Sequence, residues 1–105
     1  AMLALGASGG PRIISTTIQV LLNSWRFDML PEAAVAAPRL HHQWSPDVLY
    51  LESGLAQSPV AEVLKGKGHQ ITRRDNLAAC QVVAMKAGRL YGKSDDRKHG
   101  RAAGF

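Results

Sequence analysis

The sequence predicts an α+β fold in which a mostly antiparallel sheet carries helices on one face. Helical patterns gather in the first two thirds of the chain, and a hairpin signal containing glycine closes it. Of the 105 residues, 46% are hydrophobic and 20% are charged, which is typical of a globular protein and not of a disordered one. We expect the elements in the order β-α-α-β-α-β-β-β, within a single domain or part of one that spans residues 1–105.

The first third of the chain predicts a strand, a glycine turn and a long helix. The apolar run MLAL at residues 2–5 is followed by Gly6 and is typical of a short buried strand. From Pro11 to Phe27 apolar residues recur every three or four positions, and proline suits the first helical position because its missing N–H costs nothing there. The apolar positions of this helix are Ile14, Ile18, Leu21, Leu22 and Trp25.

The middle of the chain predicts a short helix, a loop and a strand. The segment PEAAVAAPR begins with proline and an acidic residue and reaches a second proline at Pro38, so a helix is expected between the two. Residues 41–47, HHQWSPD, contain turn-forming serine and proline and predict a loop. Residues 47–52, DVLYLE, are rich in large apolar groups and predict a strand that ends before Gly54.

The last third predicts one more helix and three strands. Residues 58–68 form a helix pattern with serine at the N-cap position and glycine at the end. Residues 69–74 predict a short strand. Residues 80–92 predict a hairpin around Ala87-Gly88, because glycine can supply the positive φ that a tight turn needs. Residues 93–105 are expected to form a polar C-terminal tail.

The charge pattern argues against binding to nucleic acid or insertion into a membrane. The net charge is +5, but much of the excess lies in residues 93–101 and is not interleaved with aromatic side chains, which make up only 6% of the chain. A solvated basic surface is therefore expected. The longest uncharged runs contain polar residues and helix breakers, so no membrane span is expected.

Three glycines near the start of the chain are the first candidate site. Gly6, Gly9 and Gly10 lie between a predicted strand and a predicted helix, where backbone N–H groups and the helix dipole can converge on a phosphate or an oxyanion. A purely structural turn explains the same residues. Neither the Walker pattern nor GxGxxG is present, and Ser8 does not stand in a GxSxG nucleophile elbow.

The other chemistry-bearing side chains predict no metal or cofactor site. His41 and His42 are adjacent, so their side chains diverge in most backbones and cannot share one metal ion. Cys80 is the only cysteine and can form neither an intramolecular disulfide nor a CxxC zinc site. Asp95 and Asp96 are also neighbours, which indicates a turn or a helix cap and not an acid–base pair.

Five segments together resemble one enzyme family over essentially the whole chain. In order they are GASGGPRII (6–14), IQVLLN (18–23), AAPRLHHQWSPD (36–47), GRLYGKSDDR (88–97) and AAGF (102–105). They are similar to the C-terminal part of the small subunit of γ-glutamyltransferase, also called γ-glutamyltranspeptidase, in the N-terminal-nucleophile hydrolase superfamily. The most specific segment is APRLHHQWSPD, where members typically carry APRFHHQW followed one residue later by PD.

The resemblance implies a fold, a reaction and two site residues. The fold would be part of an αββα sandwich. The reaction would transfer a γ-glutamyl group from a glutathione-like donor, through a glutamyl-enzyme, to water or an amino acid. Gly9 and Gly10 match the consecutive glycines that form the oxyanion hole in a loop similar to GSPGGSR. The chain departs from that loop pattern at Ala7, Ser8 and Pro11.

The resemblance also implies partners. The family's threonine nucleophile lies upstream of the matching region, so this chain is expected to lack the nucleophile and to be inactive alone. Its partner would be the missing N-terminal part or large subunit. The sheet face built from residues 2–5, 48–51 and 81–85 would be uncovered, which predicts self-association as a homodimer. The alternative is a truncated, non-catalytic homologue that acts as a self-associating or partner-binding module. Many bacterial relatives are periplasmic or secreted, and the sequence leaves this chain's location open.

Overall fold

The computed structural model describes residues 2–104, which form two compact units. The terminal unit combines residues 2–37 with residues 78–104, and the inserted unit consists of residues 38–77. That the whole chain belongs to one partial domain stays a prediction. No helix among the described residues has both the length and the apolar character needed to cross a membrane.

The structure has the predicted α+β composition and two short elements that the sequence did not predict. The elements are β1 (Leu3–Ser8), α1 (Arg12–Trp25), α2 (Pro31–Ala36), β2 (Leu40–His41), β3 (Leu49–Leu51), α3 (Ser53–Ala56), α4 (Pro59–Gly66), β4 (Ile71–Arg73), β5 (Ala79–Lys86) and β6 (Arg89–Lys93). The additions to the expected order are β2 and α3. The two-residue β2 is stabilised by pairing with β3, which a local pattern cannot reveal, and α3 is a single helical turn.

The terminal unit is an antiparallel sheet in the order β1-β5-β6. Leu3 is paired with Ala84 and Ser8 with Ala79, so alternate residues of β1 and β5 share a face. One face packs against helices α1 and α2, as predicted. The buried core consists of Val20, Ala34, Val35, Cys80 and Val82, with Leu3, Leu5, Ala7 and Met29 packed against it.

The hairpin between β5 and β6 is confirmed. Its two turn residues, Ala87 and Gly88, have φ values of +49° and +73°. Positive φ at both central positions is the signature of a type I′ turn, whose twist matches that of the flanking strands.

The inserted unit has its own sheet, in the order β2-β3-β4. Strands β2 and β3 are antiparallel, whereas β3 and β4 are parallel because α3 and α4 form the crossover between them. Residues 48–51 therefore do not share a sheet face with residues 2–5 and 81–85, and that part of the expectation was wrong. The composition of an apolar segment does not show which other strand it will pair with.

The long helix is confirmed, but its apolar stripe does not face the sheet. Thr16 and Val20 are the buried residues of α1, whereas Ile14 is 69% exposed and Trp25 is 77% exposed. Ile18, Leu21 and Leu22 are exposed as well. The helix is thus apolar on the face away from its own sheet, and this stripe is uncovered among the described residues.

Candidate functional site

The glycine loop connects β1 to α1 and has a backbone that other residues rarely adopt. Gly9 has φ +145° and Gly10 has φ +62°, directly after Ser8 ends the strand. Pro11 occupies the N-cap position, and the Ile13 N–H donates a 3.1 Å hydrogen bond to the Gly10 carbonyl. The proline therefore lies immediately before the helix and not at its first residue, one position from where the sequence suggested.

Gly9 leaves no room for a side chain. A Cβ at this position would lie 2.5 Å from the Ala78 Cβ and 2.8 Å from the Ala78 Cα. Ala78 itself has φ +71°, an unusual value for a residue with a Cβ. Gly10 has open space around it, so its requirement for glycine comes from the positive φ alone.

The two glycine amides are free to donate. Gly9 is half-buried and Gly10 is exposed, and neither N–H donates a hydrogen bond to any of residues 2–104. Both precede the first turn of the 14-residue α1, where the helix dipole contributes positive potential. Paired donors at a helix N-terminus can bind an anionic oxygen, which is the chemistry that an oxyanion hole requires.

A second group of polar residues reaches this loop from the C-terminal tail. Lys98 Nζ donates a 2.7 Å hydrogen bond to Ser8 Oγ. The tail is held by Asp95, which is buried and accepts hydrogen bonds from the Cys80 and Arg97 backbone N–H groups. The expected turn role of Asp95 is confirmed. Its burial was not predicted, because nothing in a polar tail signals that one carboxylate will be covered.

The histidines do not form a metal site among the described residues. His41 is buried, and its Nε2 lies 2.9 Å from Gln43 Oε1. His42 is exposed, and its Nε2 lies 2.9 Å from Asp47 Oδ1. The side chains of the two adjacent histidines thus have different partners, as their positions in sequence suggested.

Two carboxylates of the inserted unit have structural roles. Glu52 is buried and accepts hydrogen bonds of 2.9 Å from the backbone N–H groups of Arg39 and Leu77. Asp75 accepts hydrogen bonds from the hydroxyl and the N–H of Ser53 and from the Arg73 guanidinium, and these contacts, those of Ser53 first, lower the pKa of Asp75 from 3.8 to about 2. Sequence reasoning missed both, because most of their partners are 13 to 25 residues away.

Comparison with known proteins identifies one family. The family model for gamma-glutamyltranspeptidase matches residues 1–105. Glutathione hydrolase proenzyme 2 of Schizosaccharomyces pombe is 40% identical over 107 residues, covering 98% of this chain and 17% of the relative. Glutathione hydrolase proenzyme of Escherichia coli is 36% identical over 96 residues, covering 90% of this chain and 16% of the relative.

A solved structure is also similar to this chain. The T380A mutant of Helicobacter pylori gamma-glutamyltranspeptidase superposes with a TM-score of 0.85 at 35% identity, covering 92% of this chain and 54% of that one. The described fold is therefore that of part of an N-terminal-nucleophile hydrolase sandwich. The chain spans about one sixth of the length of these curated relatives and about half of the solved chain. It belongs to the gamma-glutamyltranspeptidase family.

Proposed function

We propose that this chain is the C-terminal part of a γ-glutamyltransferase small subunit and supplies the oxyanion-hole amides of Gly9 and Gly10. In the complete enzyme a threonine from outside these residues attacks the γ-glutamyl carbonyl of a glutathione-like donor. The two amides stabilise the negative oxygen of the tetrahedral intermediate, and the glutamyl group then passes to water or an amino acid.

The backbone of the glycine loop carries this proposal. Gly9 is required by its close contact with Ala78, and glycine is favoured at position 10 by a φ of +62°. The result is two consecutive N–H groups without an acceptor among residues 2–104. Because such N–H groups are already in place, no free energy is spent on reorienting them when negative charge develops on the substrate oxygen.

A chimera tests the proposal. The corresponding segment of the Escherichia coli relative is replaced by this chain, and release of p-nitroaniline from γ-glutamyl-p-nitroanilide is measured. We expect turnover, and Gly10→Ala, which keeps the N–H but disfavours the φ of +62° that directs it, is expected to lower kcat by up to about 100-fold, the effect of losing one oxyanion donor. Gly68→Ala is the matched control, because Gly68 also has positive φ and open space but lies at the end of α4. A folded chimera without turnover, or equal kcat for both variants, would contradict the proposal.

The nucleophile is proposed to come from elsewhere, so the 105 residues alone are not expected to hydrolyse the anilide. The same assay on the purified chain checks this point. Steady anilide release that scales with chain concentration and survives repurification would show that the chain carries a nucleophile of its own.

A second function is favoured by the exposed apolar surface. The sheet face away from α1 carries Val83, Met85 and Leu90, which are 49%, 43% and 70% exposed. A non-catalytic homologue would use this face to associate sheet to sheet with a second copy or another partner. Sedimentation velocity at micromolar concentration tests self-association: Val83→Lys should restore a monomer, whereas Ile18→Lys on α1 should not. A monomer in the unmutated chain would rule out the homodimer.

A further inference from the structure

A lysine from the C-terminal tail contacts the residue that leads into the glycine loop. The 2.7 Å hydrogen bond from Lys98 Nζ ends on the hydroxyl of Ser8, one residue before Gly9. Ser8 is paired with Ala79 on β5, and β1 is the edge strand of its sheet among the described residues. The hydroxyl contact is therefore an additional constraint on the end of a strand that is paired on one side only.

Lys98 reaches Ser8 because the residues before it are fixed in the terminal unit. Asp95 is 1% exposed and accepts a 2.8 Å hydrogen bond from the Cys80 N–H. The Arg97 guanidinium donates to the Asp95 carboxylate at 3.1 Å and to the carbonyls of Val35 and Ala37 at 2.9 and 3.1 Å. A buried contact to β5 and partly buried contacts to the end of α2 thus determine where the tail runs.

The anchored segment ends at the lysine itself. The Lys98 N–H donates a 3.1 Å hydrogen bond to the Asp95 carbonyl and closes a turn. Because this turn is attached to a buried carboxylate, the lysine side chain starts from a fixed backbone position and only its own rotamers have to be ordered to meet Ser8.

We propose that Lys98 is a positioning residue for the glycine loop: its ammonium group fixes Ser8 and thereby the directions of the Gly9 and Gly10 N–H groups. Two consecutive glycines have more backbone freedom than any other pair, so their amides stay aligned only if the flanking residues are constrained. The loop pattern to which this chain is similar has proline at position 8, and proline restricts its own φ. Here a serine stands at that position, and the hydrogen bond supplies a constraint in its place.

Backbone ¹⁵N relaxation on the 105-residue chain tests the positioning directly. In the unmutated chain we expect order parameters of about 0.85 at Gly9 and Gly10, falling toward about 0.6 in Lys98→Met and in Ser8→Ala. The double variant should be no lower than either single variant, because both remove the same contact. Lys98→Arg should preserve most of the order. Arg101→Met, which removes a cation from the same tail, should have no effect.

The catalytic consequence rests on the proposed function and is measured in the chimera. Lys98→Met should lower kcat by about threefold to tenfold with KM unchanged, as expected for losing one hydrogen bond that aligns a catalytic group. Unchanged order parameters in Lys98→Met, or an additive loss in the double variant, would overturn the positioning role. If instead the order parameters fall but Gly10→Ala keeps full turnover, the positioning stands and the oxyanion role of the loop fails.

Discussion

Replacing Gly9 by alanine should destabilise the chain strongly, for two separate structural reasons. The new Cβ would lie 2.5 Å from the Ala78 Cβ and 2.8 Å from its Cα, so the backbone on one side or the other has to move. Such overpacking costs about 1–3 kcal/mol. Holding alanine at a φ of +145° adds strain of about 1–3 kcal/mol, unless the loop rearranges.

Taken together, Gly9→Ala should reduce the free energy of unfolding by about 3 kcal/mol, which for a chain of this size lowers Tm by about 12 °C or more. Thermal unfolding followed by far-ultraviolet circular dichroism measures it. Gly68→Ala is the control for strain alone, because Gly68 has φ +93° and no neighbour within 4 Å. Its expected cost is about 1 kcal/mol.

A second-site change tests the contact itself. Ala78→Gly removes the methyl group that the new Cβ would meet, and it relieves a φ of +71° at the same position. Ala78→Gly alone should leave the free energy of unfolding nearly unchanged. Loss of the buried methyl group costs about 0.8 kcal/mol, and relief of the left-handed backbone conformation gains about 1 kcal/mol. Combined with Gly9→Ala it should recover about half of the loss, because the Ala78 Cα remains in place. A Tm for Gly9→Ala no lower than that for Gly68→Ala would refute the reasoning.

Three other predictions concern the tail, the hairpin and one carboxylate. Asp95→Ala should cost about 3 kcal/mol in urea unfolding, because it leaves the buried Cys80 N–H without its acceptor and removes the carboxylate that pairs with the Arg97 guanidinium, whereas the exposed neighbour Asp96→Ala should cost less than about 0.5 kcal/mol. Ala87→Gly should stabilise the chain by up to about 1 kcal/mol, since glycine adopts the positive φ of the turn without strain, and a lower Tm would contradict the type I′ assignment. Ser53→Ala should raise the pKa of Asp75 from about 2 toward 3.8, measured by carboxyl ¹³C titration. Because the folded-state pKa is the depressed one, the stability contributed by this contact is present above pH 4 and is lost as the pH falls toward 2, and an unchanged titration in the variant would argue against it.

Local patterns predicted the elements well, and distant partners explain most of what they missed. Prolines and glycines marked the starts and ends of α2 and α4, and Ala87-Gly88 marked the hairpin, because these signals act within a few residues. Strand partners were not predicted, so residues 48–51 were assigned to the wrong sheet. Ser58 does occupy the N-cap position of α4, but its hydroxyl donates to the Leu55 carbonyl and makes no capping hydrogen bond.

In the candidate site, too, local patterns reveal some residues, whereas others depend on distant partners. Gly9 and Gly10 could be selected from the sequence because glycine next to a helix start has few physical explanations. Lys98 and Asp95 could not, since the hydrogen bond from Lys98 joins residues 90 positions apart and Asp95 looks like any acidic residue in a polar tail. A surface lysine gains a specific role only when the fold places its backbone beside a particular acceptor.

Helix α1 should be less stable in the isolated 105 residues than in the proposed complete enzyme. A helix with apolar side chains on opposite faces is typical of a protein interior, yet here one of those faces, from Ile14 to Trp25, is in contact with water. Each large side chain covered there by another part of the enzyme would add about 1.5–3 kcal/mol. Amide protons of α1 should therefore exchange far more slowly in the assembled protein than in the isolated chain, even if no bond within the helix changes.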